Sequence, residues 1–267
     1  MVNSFPEEVL KEIFTSALLI PDEKFSFAKT GLSPFGQNLA STASVLLVCK
    51  RWLRVATPLL YEDVVLRSTA QAQALADSLT ANPRFALYVK RLRMEGGFGT
   101  SLSIILSKCP HIVELFITLD IFGDDSIDGL HAALMLAKPH RVILSKHTRA
   151  KNGKVLKLMN EIISCVKHKW HSLETFELHA RPTRARTVMS WFEDDIRGFR
   201  SSTSLKHLVF TDCSQGFLEV VASWPNIESI RITSENHKLH EVVEENPALQ
   251  QIVVFDAMIG EADGPEM

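Results

Sequence analysis

A six-residue pattern, apolar-x-x-apolar-x-apolar, returns along most of this chain, and self-similarity of that kind restricts the fold more than any single motif does. It occurs at Tyr61/Val64/Leu66, Val89/Leu92/Met94, Ile112/Leu115/Ile117, Leu173/Phe176/Leu178, Leu205/Leu208/Phe210, Ile227/Ile230/Ile232 and Leu249/Ile252/Val254. Successive first positions are 28, 23, 61, 32, 22 and 22 residues apart, and a weaker segment, Val142-Ile143-Leu144, divides the long interval. Between these strands lie segments with helical periodicity: residues 70–80, 100–108, 126–137, 153–170, 187–199, 217–223 and 239–245. A strand reached through a helical crossover lies parallel to the one before it, so the pattern predicts an α/β protein with a parallel sheet. No such unit can bury its apolar face alone, and stacked neighbours share one core.

Three units enter the strand through Pro-x-apolar-x-x-apolar: Cys109-Pro110-His111-Ile112-Val113-Glu114-Leu115, Trp224-Pro225-Asn226-Ile227-Glu228-Ser229-Ile230 and Asn246-Pro247-Ala248-Leu249-Gln250-Gln251-Ile252. Proline ends the helix and presets the extended entry. These units resemble leucine-rich repeats. The Asn or Cys that such repeats carry after the last strand position is met by Cys213, while Gly97, Asp120, Arg181, Glu235 and Ala257 stand at the equivalent places. The resemblance therefore implies an irregular solenoid arc over residues 61–258. The competing arrangement is a single wound α/β sheet with helices on both faces.

The first sixty residues follow a different pattern. Ser4, Pro6 and Glu7 form a helix start, with Glu7 three residues after the capping serine. Leu10, Ile13, Phe14 and Ala17 recur at helical spacing, which predicts an amphipathic helix from about residue 5 to 19, closed by Pro21. Residues 21–38 hold two prolines and two glycines without a period and read as an irregular insert. A second helical run carries Ala43, Leu46, Leu47, Lys50 and Leu53 on one face until Pro58 interrupts it. A module of under ~60 residues is marginal alone, so apolar side chains left outside await completion by a partner.

Phe5-Pro6-Glu7-Glu8-Val9-Leu10-Lys11-Glu12-Ile13-Phe14, with Ala43-Ser44-Val45-Leu46-Leu47-Val48-Cys49-Lys50-Arg51-Trp52 and Ala56-Thr57-Pro58-Leu59-Leu60-Tyr61, resembles the F-box, in the form seen in large fungal expansions. The likeness covers roughly residues 4–66. Phe5 departs from the leucine usual before the proline, and the insert 21–38 replaces a short turn. The resemblance implies docking to the Skp-type adaptor, and through it the cullin, of an SCF-type cullin-RING ubiquitin ligase. Pro6 would set the first helix, and Leu10, Ile13, Phe14, Val48 and Trp52 would make the adaptor contacts. The repeat region, residues 61–258, would hold a protein substrate. The chain would then be a non-catalytic subunit of the ubiquitin-conjugation pathway that works by proximity. The alternative is a repeat-based interaction scaffold whose degenerate F-box recruits no ligase.

Composition narrows the remaining classes. Forty-six per cent hydrophobic and 22% charged residues are the proportions of a folded globular chain. A net charge of −2 is far from that of a duplex-DNA binder, so no nucleic-acid partner is expected. The apolar stretches are far shorter than the ~18 to 20 residues of a bilayer span, and no secretory leader is read before residue 4, so no membrane partner is expected. Cys49, Cys109, Cys165 and Cys213 lie far apart, fitting neither a disulfide framework nor a zinc site and pointing to the cytoplasm or nucleus.

Catalytic signals are weak. Cys49 reads as a small buried hydrophobe. The pairs His168/His171 and His237/His240 lack a third ligand, Gly96-Gly97-Phe98-Gly99 lacks a phosphate-loop frame, and Asp124-Asp125 and Asp194-Asp195 read as solvated surface. No nucleophile, base and orienter stand together, so neither enzymatic activity, cofactor nor metal is expected.

Charge is segregated in the middle of the chain. Residues 109–137 hold five acids and no Lys or Arg, and residues 138–160 hold seven Lys or Arg and no acid. With the loop cations after the next strand, Lys146, Arg149, Lys151, Arg181, Arg184 and Arg186 form a candidate patch for an acidic or phosphorylated partner. Residues 259–267 read as an acidic tail.

Overall fold

The computed structural model describes residues 5–28, 33–36, 42–96, 98–122, 126–148, 152–180, 192–234 and 236–256. The chain opens with α1 (Glu7–Leu18), the one-turn α2 (Asp22–Phe25), a 3-10 turn at Thr42–Leu47 and α3 (Lys50–Glu62). Then follow β1 (Asp63–Leu66), α4 (Thr69–Ala81), α5 (Pro83–Ala86), β2 (Arg91–Met94), α6 (Thr100–Lys108), β3 (Glu114–Thr118), α7 (Asp128–Leu134) and β4 (Arg141–Lys146). The remainder runs α8 (Gly153–His168), β5 (Thr175–Ala180), α9 (Glu193–Arg197), β6 (His207–Phe210), α10 (Gln215–Ala222), β7 (Ser229–Ile232), α11 (His237–Glu245), α12 (Pro247–Gln250) and β8 (Val253–Phe255).

The eight strands form one parallel sheet whose spatial order is the chain order. Every second strand residue faces the helices: Val64 and Leu66, Leu92 and Met94, Leu115 and Ile117, Val142 and Leu144, Phe176 and Leu178, Leu208 and Phe210, Ile230 and Ile232. Helices α4 to α12 all deliver buried side chains to that same core. Among the described residues, then, the helices that connect strands cover one face, and the wound arrangement with connecting helices on both faces is not found; the one-turn α2, which precedes the sheet in the chain, lies on the other. Side-chain caps help fix the repeats: Ser68, Asn152 and Ser214 accept from the main chain at the starts of α4, α8 and α10, each contributing about 1 kcal/mol. At Gly129 in α7 a side chain would stand 2.1 Å from the Gly99 carbonyl, so only glycine lets α7 close on the start of α6.

Four local expectations are corrected. The segment read as weak, Val142-Ile143-Leu144, is a full strand, β4, paired along its length with both neighbours. Helix α3 runs through Pro58: the ring removes one N–H, but Leu59 is buried in the module and Tyr61 stacks on Phe85 at 4.6 Å, which holds the last turn in place. In β8 the core-facing residue is Val253, opposite Ile230, while Val254 is 53% exposed. The helical turn α12 absorbs Leu249 and shifts the strand by one residue, which flips its faces. Cys49 is exposed, and its sulfur caps α3 by accepting from the Trp52 N–H at 3.5 Å.

Leu10, Phe14, Ala56 and Leu59 form a small separate core between α1 and α3, with Trp52 edge-on to Phe14 at 4.9 Å between ring centres. No residue intervenes between the end of α3 at Glu62 and the start of β1 at Asp63. The insert does not merely join helices. Residues 20–28 lie on the sheet face opposite the helices, here called the front face, where Phe25 and Ala28 pack with Phe116 and Ile143.

Candidate functional site

Two regions stand out, one apolar and exposed, the other charged and covered. On the helical module, Val9 and Ile13 stand four residues apart on one side of α1, Phe5 lies in the extended segment just before the helix, and all three are exposed. The segment entering α3 adds Leu47 (87% exposed) and Val48 (58%), with Leu53 beyond. Arg51 donates to the Phe5 carbonyl and Arg54 pairs with Glu7, which brings the start of α1 to the start of α3. Phe5 thus lies near the segment that carries Leu47 and Val48, and the module leaves these apolar side chains and those of Val9 and Ile13 outside a four-residue core.

The residues singled out for docking divide accordingly. Ile13 and Val48 face outward, Pro6 is exposed and ends its extended backbone at the helix start, and Trp52 is half-buried. Leu10 and Phe14 are corrected: both are buried in the module's own core, so a partner cannot reach them without opening it. Sequence reasoning missed Phe5, Val9, Leu47 and Leu53; four-residue spacing from Ile13 back to Val9 could have found Val9, whereas Phe5, Leu47 and Leu53 lie outside α1 and gave no such signal.

The front face of the sheet is a ladder of charge set by register. Asp63, Arg91, Glu114, Arg141 and Thr175 are successive cross-strand partners. Arg91 donates to Asp63 at 2.6 Å and Arg141 to Glu177 at 2.6 Å. Burial pushes the Glu177 carboxyl up, but the His179 hydrogen bond and the Arg141 charge outweigh it and hold the group below its usual range. Glu114, with weaker contacts, is pushed up by burial.

Over this ladder lies the segment 20–28. Asp22 accepts from Arg141 at 2.7 Å and stands 3.7 Å from Arg91. The Ile20 N–H donates to Asp63 at 2.8 Å, and Arg91 donates back to the Ile20 carbonyl. Arg93, itself buried, donates to the carbonyls of Phe25 and Phe27 and sits over the Phe116 ring at 3.6 Å. Farther along, Phe35 gives its carbonyl to Arg67 at 2.9 Å. Beneath this cover the strands read Leu115-Phe116-Ile117 and Val142-Ile143-Leu144, apolar at consecutive positions because both faces are buried. That run was the sequence signal for a covered front face.

Among the described residues the segregated charges pair in part in three dimensions. One repeat separates the acidic block from the basic one, so Lys146 meets Asp120 at 3.1 Å and Lys157 meets Asp128 at 3.4 Å, while Arg141 lies 3.6 Å from Glu114. Lys146 is corrected as a partner contact because it is fully buried on Asp120 and Thr148. Arg149, Lys151, Arg181, Arg184 and Arg186 lie outside the described residues. Burial pushes the Asp120 carboxyl up, but hydrogen bonds from Thr148 and His147 and the Lys146 charge hold it below its usual range.

Ser145 and His147 approach to 2.8 Å at the end of β4, yet Ser145 is buried, which closes its hydroxyl to a substrate. Burial pushes the Cys109 thiol up to about 12 and, with the nearby Glu161 charge, Cys165 up to about 11, the opposite of activation. Among the described residues no group of three metal-ligating side chains converges, and no helix is long and apolar enough to cross a membrane. Comparison with known proteins returns no matching family model and no matching curated sequence.

Proposed function

We propose that this chain is a non-catalytic substrate-recognition subunit of an SCF-type cullin-RING ubiquitin ligase. The helical module acts as an F-box and docks the Skp-type adaptor; the parallel sheet acts as an irregular leucine-rich-repeat arc and holds a protein substrate. The observation that carries the reading is the apolar surface the module leaves exposed. Ile13, at 49% exposure, contributes to it with Phe5, Val9, Leu47 and Val48, all within the two segments that resemble the F-box. A four-residue core cannot account for that much apolar surface left in water, whereas docking on an adaptor covers it. The cytoplasm or nucleus is the compartment this role requires.

Catalysis in this scheme belongs to the ligase. The chain raises the local concentration of a substrate lysine near the ubiquitin-charged enzyme. The test is co-purification with a Skp-type adaptor, expected for the wild-type chain and lost in Ile13→Glu/Val48→Glu, which alters only outward side chains. Absence of adaptor binding by the folded wild-type chain would favour the interaction scaffold.

A further inference from the structure

We infer that the front face across β2, β3 and β4 is a peptide-binding site for a carboxylate followed three residues later by an aromatic side chain, and that Asp22 and Phe25 occupy it in cis. The inference rests on the sheet being the partner-holding half, and it is testable without the ligase adaptor.

The site has the three parts that recognise an extended segment. Its floor is apolar: Phe116 and Ile143 occupy front positions where the neighbouring strands carry Arg93 and Glu177, and both are fully buried with Phe25 packed on them. Its charged corner is Arg141 with Arg91 behind it, converging from β4 and β2 on the half-exposed Asp22. Its clamp is Arg93, whose donors take the carbonyls of Phe25 and Phe27, while Arg91 takes that of Ile20. Main-chain contacts of this kind hold a segment whatever its side chains are; the corner and the floor select the acid and the aromatic.

The corner is suited to one carboxylate rather than a phosphate. Arg91 is already engaged by Asp63 and Arg141 by Glu177, so little positive charge is left over. Glu114 lies 3.6 Å from Arg141 and opposes a second negative charge. An acidic-x-x-aromatic segment of a partner must displace the one in cis, which tethering holds at an effective concentration of order millimolar. The site is therefore masked until the tethered segment is weakened or out-competed.

The experiment uses the full chain carrying Asp22→Ala/Phe25→Ala and a fluorescent peptide of residues 18–28, followed by anisotropy. The unmasked variant should bind the peptide at least tenfold more tightly than wild type, and a peptide with phosphoserine at the Asp22 position should bind more weakly than the parent. Equal affinities for wild type and a variant that keeps a cooperative thermal transition would overturn the inference, as would tighter binding of the phosphopeptide. Should the double variant lose its transition, Asp22→Ala alone, altering a half-exposed side chain, decides: a gain of about threefold supports masking and no gain refutes it. Loss of peptide binding with adaptor co-purification intact would sink this inference and leave the ligase role standing; the reverse result would do the opposite.

Discussion

In the sheet body Leu92, Leu115, Val142 and Phe176 follow one another along one core and are fully buried, whereas the helical module buries Leu10, Phe14, Ala56 and Leu59 and leaves Phe5, Ile13, Leu47 and Val48 outside. The sheet is self-sufficient because each repeat covers the next, and its charges are neutralised across one repeat by Glu114, Arg141, Asp120 and Lys146. Among the described residues none covers the outward side of the module formed by Val9 and Ile13. The sheet body also exposes apolar side chains, Phe122, Leu136 and Val254 among them, but scattered around a large continuous core, whereas the module exposes nearly as many around a core of four.

Breaking the sheet should therefore have the largest effect. Phe176→Ala, removing a fully buried ring that meets Phe199 edge-on at 4.8 Å, should cost about 3–5 kcal/mol in denaturant unfolding. A loss below about 1 kcal/mol would show that the core is not shared along the stack. Arg93→Met, which takes from Glu95 its 2.7 Å partner, leaving it Arg67 at 3.4 Å, and frees two carbonyls of the covering segment, should cost about 3 kcal/mol and speed amide exchange at residues 20–28. Unchanged exchange there would mean that the cover is not clamped.

Asp120→Asn probes the charge pairing between repeats. The folded state holds this carboxyl below its unfolded value of about 3.9, so its stabilisation is complete above that pH and is lost as pH falls through the folded value. At neutral pH the substitution should cost about 1.5–3 kcal/mol, and the gap to wild type should close in acid. Glu114, whose carboxyl burial pushes up, works in the opposite sense, so the difference between the two proteins is the quantity to follow. A gap that does not vary with pH would contradict the assignment. With almost no effect on stability, alkylation at neutral pH should label Cys49 alone among the four cysteines, the other three reacting only in denaturant; early labelling of Cys165 would mean that the sheet body opens locally.

The strands were legible because the helix-covered face of the sheet takes its apolar residues from every second position, and Leu92/Met94 or Ile230/Ile232 can be read from the chain alone. What escaped came from contacts distant in sequence. The insert gave no period, since it is held by Arg91, Arg93 and Arg141 rather than by its own pattern. Leu10 and Phe14 read as docking residues because an apolar stripe does not reveal which of its sides meets α3. The opposed charge blocks suggested an open basic patch, and only the displacement by one repeat sets Lys146 and Lys157 against Asp120 and Asp128.

The measurement that bears most directly on the role assigned to the module is capture of a Skp-type adaptor by the full chain. Wild type should retain the adaptor, Ile13→Glu/Val48→Glu should lose it with an unaltered thermal transition, and Val254→Glu, an exposed apolar site at the far end of the sheet, should retain it. Equal retention by wild type and the module variant would contradict the account.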